Sequence, residues 1–303
     1  MARLTTSADT TNPGNVWYNS TINKLQYSYV VSAAWSAGGA LITAMAGLAG
    51  AGTQNAGLAF GGFANAVLSC TEEYNGTSWS AGGALITARQ RLAGAGTQNA
   101  GLAFGGRSTP IVTCTEEYNG SSWSEGGALI TARDFLAGAG TQNEGLAFGG
   151  SSPIKSSCTE EYNGPSWSTG GALITERQSL AGVGTQNEGL AFGGSGPAAL
   201  SCTEEYNGSS WTAGGALITA RFNLAGAGTQ NAGLAFGGRS PTQLSCTELY
   251  NGISWSAAGA LSTARYCLGG AGTQNAGLAF GGCTPAQVSC TEEYTGVIQC
   301  RNI

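Results

Sequence analysis

Gly101-Leu-Ala-Phe-Gly-Gly106 decides the fold of this chain, because the same six-residue stretch occurs five more times at an even spacing. Each copy follows the one before it by 44 residues, and the other copies begin at Gly57, Gly145, Gly189, Gly233 and Gly277. One tryptophan per unit keeps the same step, at Trp35, Trp79, Trp123, Trp167, Trp211 and Trp255. A period of this length, with one double glycine and one tryptophan in each unit, is typical of the blades of a propeller.

One unit, residues 89–132, divides into four short strands. Residues 92–97 form the predicted strand A, 101–104 strand B and 114–118 strand C, and Trp123 begins strand D. The Gly-Gly after strand B marks a bend of the backbone, and Asn119-Gly120 is a strong hairpin turn between strands C and D. Such a meander has two faces to bury, and only closing the blades into a ring removes the end faces.

The sequence therefore predicts an all-β, six-bladed propeller of 44-residue, four-stranded blades. The last blade has strands A, B and C within residues 265–294, but no tryptophan follows Tyr294. We expect the strand that begins at Trp35 to be its strand D, so that both ends of the chain meet in one blade.

The arrangement of these residues resembles that of kelch-type β-propellers: arginine before strand A, a double glycine after strand B, tyrosine in strand C and tryptophan at the start of strand D. The resemblance covers residues 32–294. Some kelch-like propellers are copper oxidases with histidine ligands, but this chain has no histidine. The resemblance thus implies the fold without that activity.

Residues 15–29 read as two short strands around a turn, a hairpin without a counterpart in the repeats. Val16-Trp-Tyr-Asn-Ser-Thr-Ile-Asn-Lys-Leu25 is similar to hairpin modules that precede repeat domains in phage tail fibres, and the near-identical units resemble kelch-like proteins of tailed, especially marine, phages. The predicted domains are residues 1–31, an attachment or assembly module, and residues 32–303, the propeller. The resemblance implies a virion protein made in the host cytoplasm.

Composition excludes several classes of function. The net charge is −5, only 10% of residues are charged, and no basic cluster suited to nucleic acid occurs. The absence of histidine removes Ser-His-Asp and Cys-His catalysis and histidine-ligated zinc. We expect no enzymatic activity, no cofactor and no metal site. No apolar run suits a membrane span, and the first ten residues lack the apolar core of a signal peptide.

Six of the nine cysteines recur once per unit, at Cys70, Cys114, Cys158, Cys202, Cys246 and Cys290. Neighbouring blades stack about 10 Å apart, beyond the reach of a disulfide, so these cysteines are predicted to be free, buried thiols. Cys267 and Cys283 flank one hairpin and could form a disulfide across it.

Two charged residues recur at fixed positions. Arginine stands before strand A at Arg89, Arg133, Arg177, Arg221 and Arg265, with Met45 in the first unit. Glutamate stands in strand C at Glu72, Glu116, Glu160, Glu204, Glu248 and Glu292. These residues could form a ring of charge at the channel mouth that holds an anion, or structural Arg–Glu pairs between the blades; their equal repetition favours the pairs.

A second glutamate follows in five units, and Leu249 replaces it in the remaining one, so this position is predicted to face solvent. Glycosidase chemistry needs two carboxylates that face each other across a substrate, whereas these sequence neighbours point to opposite faces of one strand.

The units differ at two places. The two residues before strand A differ in every unit, and so does the loop between strands B and C. Both connections leave the same end of a blade, and together we call them the variable face. Loop drift is one explanation; a recognition surface is the other, and aromatic and arginine side chains would anchor a ligand there. The candidate ligand-binding residues are Phe63, Gln90, Arg91, Arg107, Asp134, Phe135, Phe222, Asn223, Arg239 and Tyr266.

Two functions follow from these features. In the first, the chain is a non-enzymatic adhesion module that binds a host-surface glycan or protein through the variable face. In the second, propellers stack or polymerise through residues 1–31 and the uniform face, which is the opposite end of the blades. Its partners would then be other virion proteins or copies of itself.

Overall fold

A computed structural model describes residues 16–19, 24–29, 33–296 and 299–302 of the chain. The repeats form six four-stranded antiparallel sheets, and the first strands of successive sheets contact one another in a closed ring. The chain is thus an all-β six-bladed propeller, as predicted. In the described part of the chain, no helix reaches the length and apolarity that crossing a bilayer requires.

The six blades follow the chain order. Blade 1 contains β4 (Ala49–Thr53), β5 (Ala56–Phe60), β6 (Thr71–Tyr74) and β7 (Trp79–Ala81). Blade 2 contains β8 (Ala93–Thr97), β9 (Ala100–Phe104), β10 (Thr115–Tyr118) and β11 (Trp123–Gly126). Blade 3 contains β12 (Ala137–Gly140), β13 (Gly145–Phe148), β14 (Thr159–Tyr162) and β15 (Trp167–Thr169). Blade 4 contains β16 (Ala181–Gly184), β17 (Gly189–Phe192), β18 (Thr203–Tyr206) and β19 (Trp211–Gly214). Blade 5 contains β20 (Ala225–Thr229), β21 (Ala232–Phe236), β22 (Thr247–Tyr250) and β23 (Trp255–Ala258).

Blade 6 combines the two ends of the repeat region. It contains β24 (Gly269–Thr273), β25 (Ala276–Phe280) and β26 (Thr291–Thr295), and its fourth strand is β3 (Ala34–Ala37). Trp35 lies opposite Tyr294 in this pairing, as Trp123 lies opposite Tyr118 in blade 2. The predicted closure by the strand at Trp35 is confirmed.

A seventh sheet, of three strands, pairs strands from the two ends of the chain. The hairpin of β1 (Val16–Asn19) and β2 (Lys24–Tyr29) has the predicted strands, and β2 pairs with β27 (Gln299–Asn302). β27 is not predicted from the sequence, since its four residues carry no strand pattern. Residues 1–15, 20–23 and 30–31 of the predicted N-terminal module lie outside the described residues, and its division from the propeller stays a prediction.

The core lies between the blades rather than within them. Leu58 and Phe60 of blade 1 pack with Tyr118 and Trp123 of blade 2, and the Phe60 and Trp123 ring centroids lie 5.0 Å apart. The Trp123 indole N–H also donates to the hydroxyl of Thr71 in blade 1, at 2.9 Å. The same contacts recur around the ring, so each unit depends on the one before it for burial.

Small residues in strand A follow from this crowding. A side chain at Gly94 would place its Cβ 2.5 Å from the Phe60 ring of the preceding blade, closer than any real contact. Gly105 and Gly106 at the end of strand B have φ values of 62° and 98°, which glycine adopts without strain.

The uniform face is held by glutamine. In the turn between strands A and B, the Gln98 amide donates to the carbonyls of Gly57 and Tyr74 in the preceding blade, at 3.0 and 2.7 Å. The equivalent glutamine makes the same pair of bonds in all six units. Packing between blades therefore accounts for the repetition of this turn.

Candidate ligand-binding face

The structure brings the two variable connections side by side. In each unit, the first of the two residues before strand A forms a β-bridge with the first residue of the loop between strands B and C, as Gln90 does with Arg107. The same bridge joins Phe222 to Arg239 and Tyr266 to Cys283. The variable face is therefore a continuous surface in which the side chains of the two connections lie together.

The second residue of each pair forms a ring around the propeller axis, which we call the mouth ring. Its members are Gly47, Arg91, Phe135, Ser179, Asn223 and Cys267. Each backbone N–H donates to the carbonyl of the member one blade earlier, over 2.7 to 2.9 Å, and Gly47 closes the ring onto Cys267. These bonds involve the main chain only, so they fix the backbone whatever the side chain.

Every member of the mouth ring has a positive φ, between 53° and 64°. Only Gly47 occupies this left-handed region without a steric cost. For an ordinary L-residue such a conformation costs roughly 1–2 kcal/mol. Four of the other five positions nevertheless carry Arg, Phe, Ser or Cys, which are not the usual occupants of that region. The strain was not predicted, because it arises from a bond between blades that no local pattern reveals.

The mouth ring opens onto a cavity at the end of the central channel. Its lining consists of the six ring members and the leucine after each of them. Deeper in the channel the lining is Leu, Ala and Gly from the start of each strand A. Below the mouth ring, the described channel lining therefore offers no charged side chain, and any polar recognition has to come from the mouth ring and the rest of the variable face.

Asp134 organises one polar cluster on this face. Its buried carboxylate accepts a 2.7 Å bond from Arg107 Nε and a 2.9 Å bond from the Ser151 hydroxyl, and Arg91 lies 3.8 Å away. The Arg91 guanidinium also lies over the Phe135 ring, 4.3 Å from its centroid. Asp134 is fully enclosed, so its part is to hold Arg107 in place rather than to meet a ligand directly.

A second cluster, made of Arg239, Phe222 and Tyr266, lies between blades 5 and 6. The Arg239 guanidinium carbon is 5.1 Å from the centroid of each ring, within the range of a cation–π contact. The other candidates, Phe63, Gln90 and Asn223, are half-buried. Phe63 and Gln90 line a shallow groove with Arg91 and Cys267, and Asn223 belongs to the mouth ring. The candidate set thus falls into two clusters and a groove, and its role in binding stays a prediction.

The recurring arginines and glutamates form buried pairs within the propeller. Each of the five arginines is fully enclosed and lies 2.9 to 3.2 Å from its glutamate. Glu116 also accepts bonds from the backbone N–H of Ile86 and Thr87, the connection that leaves the preceding blade. Burial lowers the pKa of Arg133, and the Glu160 carboxylate opposes this shift. A ring of charge at the channel mouth is the wrong interpretation, because none of these side chains reaches it.

The second glutamate, which five of the six units carry, is half-buried and bonded to a tyrosine of the next blade rather than free in solvent, which corrects the prediction. The Tyr118 hydroxyl donates a 2.6 Å bond to Glu73 in the preceding blade, and Glu73 is half-buried. Four further tyrosines make the same bond. The two glutamates do point to opposite faces of the strand, as the alternation of side chains along a strand predicts. In a propeller, however, neighbouring blades cover both faces of a blade.

The cysteine series is free, as predicted, but it is not buried. Its members are half-exposed, and Cys158 is exposed, because they lie just before strand C and not within it. Cys267 and Cys283 are also free thiols, so the disulfide considered between them is not formed. Burial, with a smaller contribution from Cys283, raises the pKa of Cys267 to about 12.

Within the described residues, no group of three or more Cys, Asp and Glu side chains is arranged to hold a metal ion. A scan against models of known protein families gave no match, and a search of curated proteins gave no relative. The architecture of six four-stranded blades is consistent with a kelch-type propeller.

Proposed function

We propose that this protein is a non-enzymatic binding module that recognises a host-surface glycan or protein through the variable face. The observation that carries the proposal is the mouth ring. Its backbone is the same in all six blades, whereas its side chain differs in each. Drift under selection for stability would favour glycine at these positive φ values, so bulky side chains kept there indicate a use for them.

The location of this module follows from the resemblance alone. The hairpin of β1 and β2 resembles attachment modules of phage tail fibres, and we propose that it anchors the propeller to a virion. The propeller would then present the variable face to the host cell. Propeller folds are compatible with such a binding role.

Binding of the labelled protein to candidate host cells tests the proposal. The informative variant changes the other five residue pairs before strand A to Ala-Gly, the pair that the first unit carries at Ala46-Gly47 and that already fits this backbone. A matched control changes the exposed strand-D hydroxyls to Ala, at Ser36, Ser80, Ser124, Ser168, Thr212 and Ser256. Binding lost in the first variant and kept in the control supports the proposal; equal binding by both variants contradicts it.

A structural role is the second candidate, and the three-stranded sheet favours it. Its strand order is β1-β2-β27, so the outer edges of β1 and β27 are unpaired within the described chain. An unpaired edge can accept a strand from another molecule. Light scattering should then show assemblies that disappear when residues 1–31 and 297–303 are removed together. Removing only the first segment would leave β27 with a new free edge.

A further inference from the structure

The cationic side chains that are not held in the buried Arg–Glu pairs share one face of the propeller. Among the side chains that the structure describes, they are Arg91, Arg107, Lys155 and Arg239. All four belong to the variable face, either before strand A or in the loop between strands B and C. The chain as a whole carries a charge of −5, so this face is locally basic on an acidic protein.

Three of these four cations have an internal partner. Arg107 and Arg91 share the carboxylate of Asp134, and the Lys155 ammonium group donates to the Gly196 carbonyl. Arg239 differs, because none of the ion pairs within 4.0 Å among the described residues includes it. It therefore presents a positive charge that the described protein does not neutralise.

The geometry around Arg239 holds its guanidinium in place without using its outer hydrogen-bond donors. The Phe222 and Tyr266 ring centroids each lie 5.1 Å from the guanidinium carbon, and Nε is enclosed without a partner among the described residues. Arg239 as a whole is half-exposed, and its terminal nitrogens make no hydrogen bond to a described residue. Two parallel N–H groups in such a fork match the two oxygens of a carboxylate.

The surroundings favour a sugar over a peptide. The Phe222 and Arg239 backbones bond to each other, as do those of Tyr266 and Cys283, so no strand edge is free to pair with a peptide. The two aromatic rings offer apolar surface for the C–H face of a sugar ring. A single free cation also suits one isolated carboxylate better than a polyanion, which needs a basic stripe.

We infer that Arg239, flanked by Phe222 and Tyr266, binds the carboxylate of an acidic sugar, a uronate or a sialate. This assignment rests on the proposed binding function and names the ligand class for it. The carboxylate takes the terminal nitrogens of Arg239, and the half-buried rings keep the guanidinium from turning away.

The test uses the full chain on a panel of sialylated and uronate-containing oligosaccharides, each beside the same sugar with its carboxyl group reduced to an alcohol. The variant Arg239→Ser suits the fold, because serine stands at the equivalent positions Ser151 and Ser195. The matched control Lys155→Gln removes the same charge from the same face, and glutamine stands at its equivalents Gln243 and Gln287.

We expect wild type to bind carboxylated sugars at least tenfold more tightly than reduced ones, Arg239→Ser to lose about tenfold to hundredfold in affinity, and Lys155→Gln to change it less than about threefold. Equal affinity for reduced sugars, or an unaffected Arg239→Ser variant, overturns the acidic-sugar assignment. If wild type then still binds host cells, the binding function survives; if it binds neither cells nor any sugar of the panel, both fail.

Discussion

Tyr294 is fully buried against Leu249 of the neighbouring blade, and its hydroxyl has no hydrogen-bond partner among the described residues. In the other five units a glutamate replaces this leucine and accepts the tyrosine hydroxyl bond across the blades. Blade 6 therefore carries a buried polar group without a bond, at the junction where the two ends of the repeat region meet.

Removing the hydroxyl should have opposite effects in two blades. Tyr294→Phe is expected to leave the free energy of unfolding unchanged or raise it by up to about 1 kcal/mol, because an unpaired buried hydroxyl destabilises the fold. Tyr206→Phe should lower it by about 1–3 kcal/mol, since Glu161 loses its partner. Urea unfolding of both variants and of wild type measures these free energies. Equal effects of the two substitutions would show that the tyrosine–glutamate bond between blades contributes nothing to stability.

Met45→Arg should stabilise the propeller. Glu72 is buried and accepts the backbone N–H groups of Ile42 and Thr43, but it has no arginine, unlike its five equivalents. An arginine at position 45 should raise the free energy of unfolding by about 1–3 kcal/mol. The reciprocal variant Arg221→Met, which copies the first unit into the fifth, should lower it.

The thiol of Cys70 supplies a second readout for the same substitution. Burial, and then the charge of Glu72, raise the pKa of Cys70 to about 11. In Met45→Arg the new guanidinium should lower this pKa, so alkylation of Cys70 at pH 8 should become faster. A more stable protein with an unchanged alkylation rate would mean that the arginine does not enter the site.

Stability should fall steeply in alkaline solution. Burial, and then the bond to glutamate, raise the pKa of Tyr74, Tyr118, Tyr162, Tyr206 and Tyr250 from 10 to about 12. A group whose pKa is higher in the folded state contributes its stability below the unfolded pKa and loses it as pH rises through the folded pKa. The urea midpoint should therefore decline between pH 10 and 12. Tyr206→Phe removes one titrating group and should flatten the decline; a midpoint independent of pH would contradict the argument.

Ser179→Gly should be neutral or stabilising, because Ser179 has a φ of 57° and Gly47 shows that glycine fits the mouth ring. Relief of the left-handed strain is offset in part by the entropy of glycine, which leaves a gain of up to about 1 kcal/mol. The reverse change Gly47→Ser should cost about 1–2 kcal/mol. Thermal unfolding of both variants measures these changes in stability. A destabilised Ser179→Gly variant would show that the serine side chain is needed for the fold.

Much of the fold could be predicted because each unit carries its own strand signals. The turn at Asn119-Gly120 and the start of strand D at Trp123 were predicted correctly. In the unit of residues 89–132, the predicted strands begin and end within one residue of the observed ones. The closure at Trp35 followed from counting strands. Contacts between blades were harder to predict, because they join residues that are far apart in the sequence. The role of Glu73, for example, depends on Tyr118, which is 45 residues away in the chain.

The candidate face was predictable only in outline. Differences between the units located the variable residues, but the sequence did not reveal that Asp134 is enclosed while Arg239 has no described acid beside it. The difference between Arg107 and Arg239 depends on which arginine of the neighbouring connections reaches the Asp134 carboxylate. The mouth ring likewise appears only once six blades are placed around one axis.

The mouth ring separates folding from recognition. Because its bonds are formed entirely by N–H and C=O groups, glycine, arginine, phenylalanine, serine, asparagine and cysteine all occupy equivalent places on the same scaffold. A library randomised at these six positions would sample a large combinatorial repertoire without disturbing the architecture. One blade at a time, the propeller can acquire a new specificity by single substitutions, in the way that antibody loops do on a constant framework.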